Sequence, residues 1–254
     1  MSAKVQSLHS TRSVADAELQ LRRDLAAAYR IFDYFGWAMT IYGHITVRVP
    51  GPDRHFLINP FGLRYDEITA SNLVKIDLDG NLVEPSNYPV NRAGFIIHSA
   101  VHAAREDAHC VMHTHTLPGM AIAATRDGLG LLDFAGAALY EKVAYHDFLG
   151  VHADDSDREP LVRDLADKNA MILRNHGLLT CGPTIADALQ TLYTLETACK
   201  VQMTAYSMNV PLQPTTPEVA RVHSAHLSEP RGGPEKVFAA LYRLMEKRDP
   251  SFLD

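Results

Sequence analysis

Between Val14 and Phe35 apolar residues return every three or four positions (Leu19, Leu25, Ala28, Ile31, Phe32 and Phe35), which predicts an amphipathic helix with Gly36 as its C-cap. The period then shortens. Segments around His44 to Val49, Phe56 to Ile58 and Leu73 to Ile76 predict strands, and Asp79-Gly80 predicts a hairpin turn after the third. A helix follows from about Ala93 to Ala104, a strand from Cys110 to Thr116, a strand near Lys142 to Tyr145 and a helix near Arg158 to Ala166. Ala170 to Leu173 is an apolar run of the kind that makes a buried strand, and Leu178 to Gly182 reads as its return. Arg174-Asn175-His176-Gly177 between them is turn chemistry, because Asn and Gly both tolerate positive φ. Thr184, with Asp187 three residues on, resembles a cap for a long helix reaching about Met208. Its stripe of Ile185, Ala188, Leu189, Leu192, Leu195 and Cys199 is ordinary core. Residues 211–234, bearing Pro and Gly, read as irregular, and a short helix closes the chain from Glu235 to Lys247. The expected organisation is a flexible start over 1–13, one domain over 14–210 and a tail over 211–254.

Composition narrows the function classes. A chain of 254 residues with 46% apolar content can bury one sizeable core. The formal net charge of −6 and the lack of any Lys/Arg block argue against nucleic-acid binding. No apolar run approaches the roughly 20 residues that cross a bilayer, and the first ten residues have no signal-like apolar stretch. Cys110, Cys181 and Cys199 are scattered without metal-knuckle or redox spacing, which favours free thiols and a cytoplasmic setting.

Candidate chemistry concentrates on histidines. In a strand, Val111, His113 and His115 share one face while Met112, Thr114 and Thr116 take the other. Two imidazoles at that pitch can hold one divalent metal and leave an open position; a polar strand face with two hydrogen-bonded histidines is an equal reading. His176, at the tip of the expected turn, would by itself be a polar turn residue. Taken with His113 and His115 it makes a three-imidazole site the better reading. His98 and His102 lie four apart on one helix face, a spacing that can bind metal, and His98 is alternatively a group that orients a ligand.

The same residues carry a family resemblance. His113-Thr-His115, followed by Arg174-Asn-His176-Gly-Leu, resembles the metal triad of the class II aldolase/adducin family. Thr40-Ile-Tyr-Gly-His-Ile-Thr-Val-Arg48, Phe56-Leu-Ile-Asn-Pro-Phe-Gly62, Asp66-Glu-Ile-Thr69, Ala93-Gly-Phe-Ile-Ile-His98 and Val143-Ala-Tyr-His-Asp147 extend it over approximately residues 15–210, closest to the adducin-like bacterial branch. The resemblance implies a three-layer αβα fold with a central, mainly antiparallel sheet flanked by helices. It also implies a divalent metal ion in each subunit and a homo-oligomer, typically a cyclic tetramer with sites at subunit boundaries. Three histidines without a ligating carboxylate favour zinc, with manganese and iron as alternatives.

Departures from the family pattern shape the expected activity. Where its sugar-phosphate aldolases carry an acid/base glutamate, this chain has Gly94, which cannot move a proton. Their phosphate-gripping groups fall near Ile41, His44, Arg92 and Ala93, without counterparts, and their carbonyl-facing tyrosine falls near Phe134. The expectation is therefore a metal-dependent lyase. It would cleave a C–C bond, by decarboxylation or retro-aldol reaction, in a small non-phosphorylated hydroxy- or oxo-carboxylate, aromatic ones included. His44 and Tyr145 are the candidate catalytic groups, with a structural histidine as the alternative for the first and His146 as an alternative to the second. Arg92, Gly43 and Gly62 are candidates for substrate binding, a solvated arginine being the simpler account of Arg92. His223 and His226, in the tail, carry no assignment. Two other functions stay open: a non-haem iron oxygenase of an aryl-pyruvate-like acid, and a non-catalytic adducin-like assembly protein.

Overall fold

The short-period segments form β1 (His44–Arg48), β2 (Phe56–Ile58), β3 (Val74–Ile76), β4 (Cys110–Thr114), β5 (Val143–His146), β6 (Ala170–Leu173) and β7 (Gly177–Gly182). The helices are α1 (Ser2–Phe35), α2 (Arg92–Ala104), α3 (Leu117–Ala123), α4 (Phe134–Ala138), α5 (Arg158–Leu165), α6 (Ile185–Ser207), α7 (Pro217–Leu227) and α8 (Gly233–Arg248). This is a computed structural model that describes residues 2–150, 156, 158–227 and 232–254, without the side chains of 2–13, 92 and 93. The expected flexible start over 1–13 therefore lies outside the residues described in full.

One sheet runs in the order β3-β2-β1-β4-β7-β6-β5, antiparallel at every pairing except β5 with β6. Alternation along each strand sorts its side chains into two layers. Ile45, Val47, Leu57, Cys110, Met112, Ile172 and Leu178 pack with buried residues of α1 and α6. Val111, Ala144, Met171, Leu173, Leu179 and Cys181 pack on the opposite face with Ala100 and Val101 of α2 and Leu161 and Leu165 of α5. Phe56, Ile58, Val74 and Ile76 gather round Phe95 of α2 at the β3 edge. The expected three-layer α/β architecture, with a mainly antiparallel sheet between helices, is what the chain adopts. Among the described residues no helix is long and apolar enough to cross a membrane.

The C-terminal segment differs from its reading as a tail. Residues expected to be irregular contain α7, whose first residue is Pro217 and which buries only Ala220 and Ser224. Beyond α8, a 3-10 turn over Pro250–Leu253 sets Phe252 into the main core beside Met245. Ala70 donates its N–H to the Phe252 carbonyl (2.9 Å), and Arg30 pairs with Asp249 at 2.8 Å. These contacts fasten the end of the chain to α1 and to the segment before β3.

Candidate metal centre

β4 is the pivot of the site because it is paired on both sides, His113 lying opposite His44 of β1 and Leu179 of β7. The strand ends at Thr114, two residues earlier than expected, so His115 stands just beyond the last ladder residue. His176 comes from the turn between β6 and β7. There Asn175 takes a left-handed φ of 56°, tolerable for an Asn side chain, and His176 donates its N–H to the Leu173 carbonyl at 3.0 Å. Gly177 is required for space, not for φ. A Cβ on it would lie 2.2 Å from the Thr114 carbonyl oxygen and 3.2–3.3 Å from the rings of His115 and His113.

The three rings converge. Nε2 of His113 is 2.7 Å from Nε2 of His115, which is 3.0 Å from Nε2 of His176. All three potential ligand atoms lie within 4.8 Å of one another. The His113 tautomer follows from its other nitrogen: Nδ1 donates to the Leu178 carbonyl at 2.8 Å, which leaves the Nε2 lone pair aimed at its neighbours. Burial, with the facing imidazoles of His115, His176 and His44 adding to it, holds His113 well below the ordinary histidine range. Burial also lowers His115. Imidazoles that burial keeps toward the neutral form at His113 and His115, with Nε2 of His176 beside them, are a donor set a divalent ion can use, so the residues present fit a bound metal.

Residues 23–203 match the family model of the Class II Aldolase and Adducin N-terminal domain. The chain belongs to the class II aldolase and adducin family. A Caulobacter vibrioides relative is 48% identical over 204 residues, covering 79% of each chain. Alpha-adducin from Rattus norvegicus is 43% identical over 208 residues, which are 80% of this chain but 28% of that much longer protein. Among solved structures, an aldolase II superfamily protein from Pseudomonas syringae matches with a TM-score of 0.89 at 46% identity, covering 94% of this chain and 96% of that one. An L-fuculose 1-phosphate aldolase from Glaciozyma antarctica matches with a TM-score of 0.83 at 32% identity, covering 93% and 92%.

In this class II aldolase relative a cleft of about 360 Å³ opens beside the triad. Phe61, Ile96, Ile97, Phe148, Leu149 and Leu173 give it apolar walls; Asn91, His146 and Arg174 add polar groups. His44 lines it, 4% exposed, with its ring centroid 4.1 Å from that of His98 and 5.9 Å from that of His113. A Cβ on residue 94 would lie 2.6 Å from the His44 ring, so glycine at the α2 N-terminus leaves the room that His44 fills. Burial pushes His44 down to about 4, the Gly94 backbone working in the opposite direction.

Gly43, with φ of 86°, also lines the cleft. Gly62 is exposed and is not among the lining residues. The Arg92 side chain lies outside the described residues.

Tyr145 requires a correction, since strand alternation turns it to the α6 side of the sheet. Its hydroxyl accepts the Leu129 N–H at 3.0 Å, and its ring lies under the Arg174 guanidinium at 4.8 Å. His146, the next residue, faces the cleft instead. Its Nδ1 meets the Asp164 carboxylate at 2.8 Å, and this hydrogen bond helps hold that carboxyl below its ordinary range. The β5 alternation carried this signal, because Ala144 and His146 share a face.

His98 and His102 do not join the triad. Thr46 Oγ1 lies 2.7 Å from His98 Nδ1 and 2.7 Å from His102 Nε2, and His102 Nδ1 donates to the Ala108 carbonyl at 2.8 Å. The sequence of donors is then fixed: His102 Nε2 accepts from the threonine, which accepts from His98. His223 sits against the exposed Phe134 ring at 4.7 Å and does not line the cleft. Arg174 and Asn91 are cleft groups that sequence reading left unassigned. Arg174 was visible as part of a turn and of the segment bearing His176, without a role of its own, and Asp147 lies 3.4 Å from its guanidinium; Asn91 caps α2 by accepting the Gly94 N–H.

Proposed function

We propose that this protein is a metal-dependent carbon–carbon lyase acting on a small hydroxy- or oxo-carboxylate without phosphate, by decarboxylation or retro-aldol cleavage. The observation that carries the reading is the convergence of three Nε2 atoms at the side of a mostly apolar cleft. His113, His115 and His176 would hold one divalent ion per chain, zinc favoured by the all-nitrogen donor set. Such an ion, when bound, stabilises negative charge developing on a carbonyl or enolate oxygen.

The remaining roles belong to this chain's own side chains. Arg174 is the one Lys or Arg among the described lining residues; its Nη1 donates to the Thr125 and Arg126 carbonyls and its Nε lies 3.4 Å from Asp147, so Nη2 is the group that would meet a substrate carboxylate. His44, from the β1 side, and His146, from the β5 side, would hold or move a proton. Gly43, where a Cβ would meet the Tyr65 hydroxyl at 2.6 Å, would offer its backbone to the substrate, and Arg92, at the start of α2, would add a second anion contact. Phe61, Ile96, Phe148 and Leu149 would cover a hydrocarbon or aromatic portion and exclude water. A homotetramer and a cytoplasmic setting belong to the same reading. Exposed Phe134, Val219 and Val222 on α4 and α7 support the first, and three free, buried cysteines support the second.

A sugar-phosphate substrate is the second reading, favoured by the 32% identity to an L-fuculose 1-phosphate aldolase. The test loads metal-free protein anaerobically with zinc, manganese or Fe(II) and measures CO2 and aldehyde release. Its panel contains aromatic and aliphatic hydroxy- and oxo-acids together with L-fuculose 1-phosphate. Turnover of a carboxylate without phosphate is the expected result, and turnover of the sugar phosphate alone would overturn it. Oxygen consumption by the iron-loaded protein would mark an oxygenase instead. A chain inert throughout would leave an assembly role like the one considered for adducin-like proteins.

A further inference from the structure

Glu196 is a buried carboxylate that none of the roles above uses. It sits mid-way along α6, 4% exposed, on the face of the sheet opposite the cleft. Among the described residues no Lys, Arg or His forms an ion pair with it. Burial raises its pKa, and the hydroxyls of two threonines work against that shift. An uncompensated carboxylate inside a protein is costly, and an apolar residue at this position of α6 would simply join the core. What the carboxylate does hold is specific: Oε1 accepts the Thr114 hydroxyl and Oε2 accepts the Thr116 hydroxyl, each at 2.6 Å.

Those threonines stand on either side of His115. Thr114 is the last ladder residue of β4, opposite Leu178, whose carbonyl fixes the His113 ring. Thr116 is the N-cap of α3, its oxygen accepting the Gly119 N–H at 3.1 Å. His115 itself lies past the end of the strand, where, among the described residues, no sheet hydrogen bond fixes its backbone. Residues 114 and 116 point to one side and His115 to the other, so a grip on both threonines sets the rotation of the segment between them.

We propose that Glu196 is a positioning residue for the metal centre, holding Thr114 and Thr116 from behind the sheet so that His115 is aimed at His113 and His176. The inference rests on the metal-binding reading of the triad. Groups behind ligating side chains commonly alter metal affinity by about 10–100-fold when replaced, and here the support reaches the ligand through the backbone.

The test uses the full chain, stripped of metal, and measures zinc affinity by competition with a chromophoric chelator and the Co(II) absorption spectrum. Glu196→Met keeps the length of the side chain and removes both carboxylate oxygens. It should weaken zinc binding by about 10–100-fold and alter the Co(II) bands, with the far-UV circular dichroism of the metal-free protein unchanged. Thr116→Ser keeps the hydroxyl and should bind like the wild type, whereas Thr116→Val should resemble Glu196→Met. A Gln can still keep both contacts by donating its amide N–H to one threonine oxygen, so the deciding result is the pair: if Glu196→Met and Thr116→Val both bind zinc within twofold of the wild type, Glu196 has no positioning role although the metal centre stands. If the wild type binds no zinc, the metal reading itself fails and this inference goes with it.

Discussion

Two glycines next to the histidines show how closely backbone and imidazole are fitted. At Gly177 the Thr114 carbonyl occupies the place of a Cβ, and at Gly94 the His44 ring does. The consequences of adding a methyl differ, because a carbonyl in a paired strand cannot yield while an imidazole can tilt. Gly177→Ala should cost about 1–3 kcal/mol of stability in urea unfolding and weaken zinc binding at the same time; unchanged stability would show that β7 shifts freely. Gly94→Ala should leave stability nearer the wild type and move the His44 ring, read as a changed imidazole NMR resonance.

A third residue gives the pH dependence. His102 is buried, and burial first, then facing Arg48, His109 and Arg54, push it down to about 3; Thr46 and the Ala108 carbonyl contact its nitrogens, the Ala108 hydrogen bond working the other way. In the unfolded chain it protonates near 6.5. Between those values the unfolded state binds the extra proton, so this contribution to stability is whole above about pH 6.5 and drains away toward pH 3. Urea midpoints at pH 7, 5 and 4 should fall more steeply for the wild type than for His102→Gln. Equal slopes would contradict this account.

Elements were legible where a strong period coincided with burial. α2, α6 and all seven strands fall within a few residues of where the hydrophobic pattern puts them, since each has one face in a core cluster, and α1 ends at Phe35 as that pattern has it but starts at Ser2, ahead of Val14. α7 was hidden because Pro217 and the glycines after it read as punctuation while Val219 and Val222 lie exposed, leaving no apolar stripe to detect. α3 and α4 are short, and their starts are fixed by Thr116 and Asp133 side chains accepting the N–H groups of Gly119 and Gly136. Periodicity has too few residues to work with in either.

The turn that presents His176 was readable from Asn175, the residue that takes the positive φ. Asn175→Gly should keep zinc binding. Asn175→Val should cost about 1–2 kcal/mol and loosen the third ligand, checked by unfolding and by zinc titration. Equal behaviour of the two variants would show that the turn does not depend on this backbone conformation.

At the scale of the whole molecule, the sheet brings together residues that the sequence keeps far apart, and much of the cleft was illegible for that reason. The pairing of β1 with β4 puts His44 beside His113, and the parallel pairing of β5 with β6 brings His146 to the cleft in place of Tyr145. The three ligands could be found without the sheet because two share a strand and the third sits in a recognisable turn. The C-terminus also belongs to this scale. Phe252 is fully buried in the core that α1 and α6 share. Phe252→Ala should therefore destabilise the protein by about 3–5 kcal/mol, although it lies in the last turn of the chain; a loss below about 1 kcal/mol would make that segment a tail after all.

The proposed chemistry requires His113, His115 and His176 to share one cation. The most direct measurement is a zinc titration of the metal-stripped full chain by isothermal calorimetry, alongside His113→Ala and His176→Ala variants whose circular dichroism matches the wild type. One tight site per chain is expected, lost in both variants. A wild type that takes up no zinc, or a His176→Ala variant that binds it as tightly as before, would contradict the proposed chemistry.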